Sequence, residues 1–513
     1  SPCKKIEFVI DLNYNHISMA DKLLKNQTPR YSNISKLQKS LKKTIRGNVL
    51  WDREIVNYYS VDASAYQIIP DIVVIPKNER DVINIVKIAR KYKVPVTVRG
   101  AGTGLVGSAL NSGIIMDLKK FDSIKIQKNN VKVGAGTIKG NLDKALENKR
   151  KFFPPSPSVG PYCSIGGMIG NNSSGSRSLK YGSTIDNIEK ITFVDGYGNK
   201  ITLPESREYG SKIFKLSKKI DIEKFPKVTK NSSGYRLDSI KSIKDVHKII
   251  VGSEGTLGIV LSADLKITPI PNNRVLLIVE YQSEKEAATN CSQIVNTFPT
   301  AIEFVDKTIM KNINHRFDKK SKCLLFVEYD SEIKNIQKRI KKIVTGKISK
   351  IIENNLDIQK WWKFRDSSLY YSSKVIKSKT LHVIEDATVP VERLPELFSS
   401  IKKINQKFHT KSIAYGHAGN GNIHIRLILK KKKISIIKKI ANEYFDIIIK
   451  MGGTITGEHG DGLARSEYVK KQYGSKNYKL FIELKNQFDP DSILNPEKII
   501  TDKSMIIKNL SNY

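Results

Sequence analysis

A glycine-rich loop that directly follows a short strand limits the possible folds most strongly. Residues 94–98 alternate as in a strand, and Arg99-Gly-Ala-Gly-Thr-Gly104 follows without a break. Another short buried strand is predicted between Pro70 and Pro76, with Asp81 as the N-cap of the helix that follows it. The helix is predicted by apolar residues at helical spacing: Val82, Ile85, Val86 and Ala89. This strand, helix, strand and glycine loop indicate layered helices and sheets.

Changes of pattern divide the remaining chain. At 513 residues it is too long for one simple core, so several domains are expected. We predict an N-terminal extension over 1–68, with a helix near 35–45, and a first domain over 69–272. Pro269-Ile-Pro271 marks a boundary. Strands alternate with lysine-rich helices over 273–452, which indicates a separate α+β domain. The segment 453–513 contains an amphipathic helix over 475–490.

The net charge of +38 could attract nucleic acid, anionic lipid or an acidic protein. Lysine is nevertheless spread along the whole chain, with one dense cluster at 430–433, so general compositional bias is the simpler explanation. We expect no nucleic-acid partner, and peripheral association with a membrane stays open. No apolar run could span a bilayer and no secretory signal is visible, which favours a cytoplasmic protein. Four scattered cysteines predict no disulfide framework or iron–sulfur cluster: Cys3, Cys163, Cys291 and Cys323.

Two short C-terminal segments carry the most chemistry. Tyr415-Gly-His-Ala-Gly-Asn-Gly-Asn-Ile-His424 and Gly457-Glu-His-Gly-Asp461 contain three of the 8 histidines. If a strand follows the first glycines, Asn422 and His424 share one face. A lone histidine is more often structural, but two imidazoles with a carboxylate, Glu458, suit Zn or a similar divalent ion. A metal site beside a general base is therefore predicted.

The glycine loops suit a phosphate-containing cofactor. Gly102-Thr-Gly-Leu-Val-Gly107 spells a dinucleotide pattern, but 114–118 reads as a strand where that fingerprint requires a helix. A second stretch, 164–175, supplies further glycines, hydroxyls and amides. Two such loops could hold both ends of a large dinucleotide.

Several motifs in order make the chain resemble a known superfamily. They are Val98–Gly107, Pro155-Ser-Pro-Ser158, Ile165-Gly-Gly-Met168, Lys180-Tyr-Gly182 and Gly252-Ser-Glu-Gly-Thr-Leu-Gly258. This set resembles the FAD-binding domain of the vanillyl-alcohol oxidase/PCMH flavoproteins. The C-terminal motifs resemble its D-2-hydroxyacid dehydrogenase branch, which includes D-lactate dehydrogenase, the glycolate oxidase catalytic subunit and D-2-hydroxyglutarate dehydrogenase. The resemblance covers about residues 46 to 500.

The resemblance implies an α+β fold. A PCMH-type FAD-binding domain of two α+β subdomains would occupy 69–272, an α+β cap domain 273–452, and a C-terminal helical segment would complete the active site. Thr103 stands where relatives attach the flavin through histidine, so non-covalent FAD is expected, with Cys163 as the alternative attachment point. The implied cofactor-binding residues are Arg99, Gly100, Ala101, Gly102, Thr103, Gly104, Leu105, Ser108, Pro155, Ser158, Ile165, Gly166, Gly167, Asn172, Ser174, Gly175, Tyr181, Gly182, Glu254, Gly258, Ile259 and Asn495.

The resemblance also implies roles in the site. His417, His424 and Glu458 would hold the metal, His459 would act as the general base and Asn422 would contact substrate or flavin. Arg365 matches an arginine that clamps the substrate carboxylate, and Tyr235 is expected to face the pocket. Two departures matter. Ile384 replaces a lysine that relatives use for a second carboxylate, and Asn420 replaces an aspartate expected to influence the orientation of His417.

The combined prediction is an FAD- and metal-dependent D-2-hydroxyacid dehydrogenase. It would oxidise D-lactate or glycolate, with the hydride passing to the flavin and the electrons leaving to an iron–sulfur subunit, a quinone or a cytochrome rather than to NAD. Three alternatives stay open. They are a D-2-hydroxyglutarate dehydrogenase, the chemistry of flavin-dependent ether-lipid synthases, and a non-catalytic flavin subunit of an iron–sulfur complex.

Overall fold

A computed structural model describes residues 33–511, apart from 314, 332, 376–383 and 429–435. Cys3 and the lysine cluster at 430–433 lie outside the described residues. Three main sheets are covered by helices, and antiparallel pairing predominates. The predicted α+β class is confirmed.

The first sheet has four strands in the order β1-β2-β4-β3. Its elements are α1 (Ile34–Thr44), β1 (Asn48–Leu50), α2 (Arg53–Tyr59), β2 (Ile72–Ile75), α3 (Glu79–Tyr92), β3 (Val96–Arg99) and β4 (Ile114–Asp117). Strands β2, β4 and β3 are parallel, and β1 pairs antiparallel with β2. Helix α1 packs against α3. The described part of the segment before residue 69 is therefore built into this sheet.

The cap of α3 differs from the prediction. Asn78 is the N-cap, and its side chain accepts the backbone N–H of Asp81 at 3.0 Å. The predicted cap at Asp81 is wrong, because its carboxylate points back to accept the backbone N–H groups of Arg46 at 2.9 Å and Lys77 at 2.8 Å. Asp81 thus ties the entry of α3 to the chain before β1.

The second sheet is five-stranded and antiparallel, in the order β5-β6-β10-β8-β9. Its region contains β5 (Ile124–Ile126), β6 (Asn130–Gly134), α4 (Lys139–Glu147), β7 (Lys151–Phe152), α5 (Ile165–Asn171), α6 (Ser178–Tyr181), β8 (Ile188–Val194), β9 (Lys200–Leu203), α7 (Arg207–Ser217), β10 (Ile259–Lys266) and β11 (Thr268–Pro269). The short strands β7 and β11 pair separately. One apolar core runs under both the first and the second sheet.

The third sheet has six antiparallel strands in the order β15-β12-β14-β13-β16-β17. Its region contains β12 (Val275–Tyr281), α8 (Glu284–Val295), β13 (Ala301–Asp306), α9 (Lys307–Met310), β14 (Cys323–Tyr329), α10 (Ile333–Ile343), β15 (Lys347–Ile352), α11 (Asn355–Asp366), α12 (Ser368–Val375), α13 (Leu394–Lys407), β16 (Lys411–His417), β17 (Asn422–Ile428) and α14 (Ile437–Lys450). Separate apolar clusters cover its two faces. The edge hairpin β16–β17 carries two of the predicted site histidines.

The C-terminal segment returns to the first two sheets. Helix α15 (Gly462–Phe488) is longer than the predicted 475–490 and kinks at Gly474, where φ is 73°. Its apolar side packs into the core shared by the first two sheets. Beyond it, the backbone N–H of Val96 donates to Ile493 at 2.8 Å, and the Thr97 hydroxyl donates to the side chain of Asn495 at 2.9 Å. Among the described residues, no helix is long and apolar enough to cross a membrane.

Candidate active site

Three imidazoles converge on one carboxylate oxygen. The Nε2 atoms of His417, His424 and His459 lie 2.9, 3.3 and 4.0 Å from Oε1 of Glu458. In the β16–β17 hairpin, His417 pairs with Asn422 and Tyr415 with His424, so both hairpin histidines share one face. His417 ends β16 itself rather than lying in the turn after it. The structure thus brings together His417, His424, Glu458 and His459.

Each imidazole is oriented through its other nitrogen. Nδ1 of His417 lies 2.7 Å from Glu303, and the Nδ1 atoms of His424 and His459 lie 3.1 and 2.6 Å from the two oxygens of Glu385. A proton on Nδ1 that is donated to a carboxylate leaves the Nε2 lone pair directed at the cluster. This arrangement of carboxylate, imidazole and ligand position is typical of metal-binding histidines.

Asp386 shapes the turn that carries Glu458 and His459. Its Oδ2 accepts the backbone N–H of Glu458 at 3.0 Å, that of His459 at 2.8 Å and the hydroxyl of Thr456 at 2.6 Å. Gly457 is required here, because a Cβ would lie 2.4 Å from the Thr388 hydroxyl oxygen. Glycine at position 457 thus lets the adjacent side chains of Glu458 and His459 both face the cluster.

The buried charges of the cluster are arranged in opposite pairs. Burial would raise the pKa of Glu458, but Lys230 and His417 hold it well below its ordinary value. Burial would likewise lower the pKa of His459, yet Glu385 and Asp386 outweigh it and raise that pKa. For Lys230 burial prevails, and its pKa is lowered despite Glu458.

Two overlapping donor sets could hold a metal ion. Ligand atoms of Asp386, His424, Glu458 and His459 all lie within 4.8 Å of one another. The set predicted from sequence contains His417 in place of Asp386 and His459. In the predicted set, Nε2 of His417 lies 2.9 Å from Oε1 of Glu458, and in the other set Oδ2 of Asp386 already accepts three hydrogen bonds.

Exposure separates the members of the cluster. The side chain of His459 is 21% exposed, whereas those of His417 and His424 are 4% and 6% exposed. Asn422 is buried, with its amide N–H directed at the main-chain and side-chain oxygens of Asp386, each at 3.2 Å. Its Oδ1 is buried and has no hydrogen-bond partner in the described part of the chain. His459 is therefore the imidazole that an incoming molecule reaches most easily.

Arg365 lies behind the cluster and Tyr235 lies away from it. The Arg365 guanidinium forms an ion pair with Glu303, and its Nη2 lies 3.3 Å from Nδ1 of His417. Its Nε is buried without a hydrogen-bond partner among the described residues. Tyr235 is buried in the first core, where its hydroxyl lies 2.7 Å from that of Thr256. The structure thus does not bring Tyr235 to the histidines.

The predicted cofactor loop lies against α5. A Cβ on Gly100 would lie 2.0 Å from the Ser164 hydroxyl oxygen, so only glycine allows this approach. The backbone N–H groups of residues 101–106 donate to no protein acceptor within the described ranges. The Arg99 guanidinium lies behind the loop and donates to the carbonyls of Tyr59 at 3.3 Å and Val61 at 2.7 Å. Free N–H groups in a glycine loop are suited to the phosphate oxygens of a dinucleotide.

Glu254 joins this loop to the C-terminal segment. Its Oε1 accepts the Ser108 hydroxyl at 3.2 Å, and both oxygens accept the backbone N–H of Gly462. The Asn495 amide donates to the carbonyl oxygens of Ser108 and Glu254, at 2.9 and 2.7 Å. Burial, reinforced by Asp461, raises the pKa of Glu254 to about 8.

The other predicted cofactor residues divide into two groups. Asn172 and Ser174 make polar contacts, the first to the carbonyl oxygen of Asn231 at 3.1 Å and the second to Glu458. Tyr181 donates to Asp330 of the third-sheet region at 2.5 Å. The second group consists of glycines and apolar residues that are closely packed by their neighbours: Ile165, Gly166, Gly175, Gly258 and Ile259. Around them the chain places Pro155 and Ser158 in the loop before α5, Gly167 at its first turn and Gly182 after α6.

Sequence reasoning missed five charged residues that surround the cluster. They are Lys230, Glu303, Glu385, Asp386 and Arg465, all of them buried. Glu385 and Asp386 could have been predicted, because these two adjacent carboxylates directly follow Ile384, a position that the resemblance had already singled out. Glu303 and Lys230 carried no such signal, because their partners are distant in sequence.

Comparison with known proteins gives matches over most of the chain. Residues 70–203 match the FAD binding domain, and residues 270–499 match the FAD linked oxidases, C-terminal domain. Glycolate oxidase subunit GlcD of Bacillus subtilis is 30% identical over 459 residues, covering 86% of this chain and 91% of that protein. D-lactate dehydrogenase of Anaerostipes hadrus is 28% identical, covering 84% and 89%.

Two further matches extend the comparison. D-2-hydroxyglutarate dehydrogenase of Escherichia coli is 28% identical over 86% of this chain, but the chain spans only 49% of that protein. A solved structure of alkyldihydroxyacetonephosphate synthase superposes with a TM-score of 0.66 at 18% identity, covering 92% of this chain and 86% of that one. At that identity the second match supports the fold alone.

Proposed function

The chain belongs to the family of FAD-linked oxidases, and from that premise we propose that it oxidises a small D-2-hydroxy acid, D-lactate or glycolate, to the 2-oxo acid. Oxidation of hydroxy acids is the activity named for the relatives that match over most of their length. The observation that supports the proposal most directly is the convergence of three Nε2 atoms on Oε1 of Glu458.

Both cofactors fit the residues present. The unpartnered N–H groups at 101–106 suit the pyrophosphate of non-covalent FAD, and Thr103 offers no attachment point. Cys163 is buried, with its Sγ 3.7 Å from the carbonyl oxygen of Gly160, and burial raises its thiol pKa to about 11, which disfavours the reactive thiolate. Two imidazoles and a carboxylate suit a divalent ion such as Zn. When bound, FAD supplies a two-electron acceptor and the metal supplies positive charge beside the substrate oxygens.

His459 is the proposed base for the hydroxyl proton. Its Nδ1 is held by Glu385 at 2.6 Å, so the proton is taken up at Nε2 on the side of the cluster. The resulting imidazolium is stabilised by Glu385 and Asp386, which also raise its pKa. The partial exposure of this side chain gives the substrate access to it.

The remaining polar groups would position the substrate. Asn422, the proposed contact to substrate or flavin, presents a buried Oδ1 that has no hydrogen-bond partner in the described part of the chain. Arg365, the proposed carboxylate clamp, keeps a donor at Nε, although its Nη2 is occupied by Glu303. Tyr235 is left out of the mechanism, because its hydroxyl is 2.7 Å from Thr256 inside the core.

The proposed choice of substrate rests on the identity of Ile384. It is buried, at 3% exposure, immediately before Glu385, whose carboxylate orients two of the histidines. An apolar side chain here offers no partner for a second carboxylate, which would be costly to bury unpaired. A small monocarboxylate is therefore favoured over D-2-hydroxyglutarate, the runner-up substrate.

The proposed electron acceptor is not a nicotinamide. The match to a protein named as a subunit supports a multi-subunit assembly, with an iron–sulfur subunit, a quinone or a cytochrome receiving the electrons. We place this activity in the cytoplasm, with peripheral membrane association as one way to reach a quinone. The strong positive charge would favour an acidic partner or an anionic surface.

A substrate screen tests the proposal. The FAD-loaded protein should reduce an artificial dye with D-lactate or glycolate, should do so poorly with D-2-hydroxyglutarate, and should lose the activity in a chelator. Preference for D-2-hydroxyglutarate would replace the substrate assignment. Flavin-dependent turnover that is not reduced by the chelator would instead favour the ether-lipid synthase type of chemistry.

A further inference from the structure

Two buried donors hold the second oxygen of Glu458. The Ser174 hydroxyl donates to Oε2 at 2.6 Å, and Nζ of Lys230 donates to it at 3.0 Å. Both residues are 0% exposed. Ser174 lies between α5 and α6, and Lys230 lies in the chain between α7 and β10, so both come from the half that contains the FAD-binding domain. The histidines that face Oε1 come from the third sheet and the C-terminal segment.

These contacts give the two oxygens of the Glu458 carboxylate different surroundings. Rotation about the terminal torsion of a glutamate is soft and nearly two-fold, so an unrestrained carboxylate exchanges its oxygens easily. Here Oε2 is occupied by a hydroxyl and an ammonium group, and Oε1 is the oxygen left for the imidazole Nε2 atoms. The two donors therefore select which oxygen a metal ion would meet.

The local charge distribution gives Lys230 a definite partner. Glu303, Glu385, Asp386 and Glu458 are all buried around the histidines. Arg365 pairs with Glu303 and Arg465 pairs with Glu385, while Lys230 pairs with Glu458. Removing Lys230 would leave one oxygen of a buried carboxylate short of its charged donor, and no neighbouring arginine is placed to replace it within the described contacts of Glu458.

We propose that Lys230 and Ser174 are positioning residues that fix Glu458 as a one-oxygen metal ligand, so that the FAD-binding half of the chain helps to build the metal site. This inference rests on the proposed function, because it presumes a divalent ion between His417, His424 and Glu458. Removing a residue that hydrogen-bonds to a metal ligand commonly lowers the metal affinity by about 10–100-fold.

Lys230→Met is the main test, because methionine keeps most of the side-chain volume but cannot donate. Lys227→Met is the matched control, since Lys227 lies three residues before Lys230 and its side chain is 68% exposed in a pair with Glu223. Ser174→Ala removes the second donor with a smaller change. Each purified, FAD-loaded protein is titrated with Zn²⁺ in a metal buffer, and the visible spectrum of its Co²⁺ form is recorded. Flavin content and thermal unfolding show whether the fold is kept.

We expect Lys230→Met to raise the Zn²⁺ dissociation constant by about 10–100-fold and to change the Co²⁺ spectrum. Ser174→Ala should raise the constant by about 5-fold, and Lys227→Met should leave it unchanged. A folded, flavin-containing Lys230→Met protein with the parental constant and spectrum would overturn the inference. If that variant does not fold, Ser174→Ala decides, and a parental constant there would overturn it. Failure of the unsubstituted protein to bind either metal would instead contradict the proposed metal site itself.

Discussion

The Nδ1 atom of His459 lies 2.6 Å from Oε1 of Glu385, whose other oxygen lies 3.1 Å from Nδ1 of His424. One buried carboxylate thus orients both the proposed base and a proposed metal ligand. Arg465 adds a contact to the same Oε1 at 3.0 Å, which holds the carboxylate in place. In the proposed mechanism, proton uptake by His459 and metal binding by His424 would therefore both depend on the Glu385 carboxylate.

Replacing Glu385 by glutamine should damage both functions at once. The amide cannot accept a hydrogen bond at its nitrogen, so one imidazole loses its partner. We expect metal affinity to fall about 10–100-fold, with a parallel fall in kcat. Glu396→Gln, at an exposed ion pair with Arg393, is the control. A variant that loses kcat but binds metal normally would mean that Glu385 serves His459 alone.

Replacing His459 by alanine should remove the base and leave the metal. We expect kcat for D-lactate or glycolate to fall about 10²–10⁴-fold, while flavin and metal contents stay at the parental level. His417→Ala should instead lower the metal content. This pair separates the two overlapping donor sets, because metal loss in His459→Ala with retention in His417→Ala would favour the set that contains Asp386.

Asn420 links two regions of the chain and does not contact His417 through any of its side-chain hydrogen bonds. Its Oδ1 accepts the Ser178 hydroxyl at 3.0 Å, and its Nδ2 donates to the Thr229 hydroxyl oxygen at 2.9 Å. Asn420→Asp removes the amide N–H group that donates to Thr229 and should lower the free energy of unfolding by about 1 kcal/mol. Metal affinity should stay unchanged. A clear change in metal affinity would support the role that the sequence had suggested, an effect on the orientation of His417.

The sequence was informative where chemistry is local, and less so where distant segments meet. Strand alternation predicted that Asn422 and His424 share one face, and the histidines together with Glu458 predicted a metal site beside a base. Glu303 and Lys230 could not be found in this way, because β13 and the loop after α7 reach the cluster only through sheet order and packing. Tyr235 shows the reverse problem, since the resemblance implied that it faces the pocket and it packs in the core instead.

Glu254 should make the free energy of unfolding decrease as the pH rises. Its pKa of about 8 in the folded protein exceeds the ordinary 4.5, so the folded state holds the proton more tightly. The resulting stabilisation is present below about pH 4.5 and is lost as the pH rises through about 8. Glu254→Gln stays neutral and should not lose it.

The measurement is the free energy of unfolding of both proteins at pH 5, 6.5 and 8. As the pH rises, the free energy of unfolding of the unsubstituted protein should fall relative to that of Glu254→Gln. A difference that stays constant across this range would show that burial does not keep Glu254 protonated.

Anaerobic reduction of the bound flavin shows whether the protein oxidises a small D-2-hydroxy acid with the help of a metal ion. The FAD-loaded protein is mixed with D-lactate or glycolate in the absence of any acceptor, once with Zn²⁺ restored and once after chelation, and the flavin absorbance is followed. We predict rapid bleaching in the metal-loaded protein, with a rate at least about 100-fold lower after chelation. Equally fast bleaching without metal, or no bleaching by either acid in the metal-loaded protein, would rule out metal-dependent oxidation of these acids.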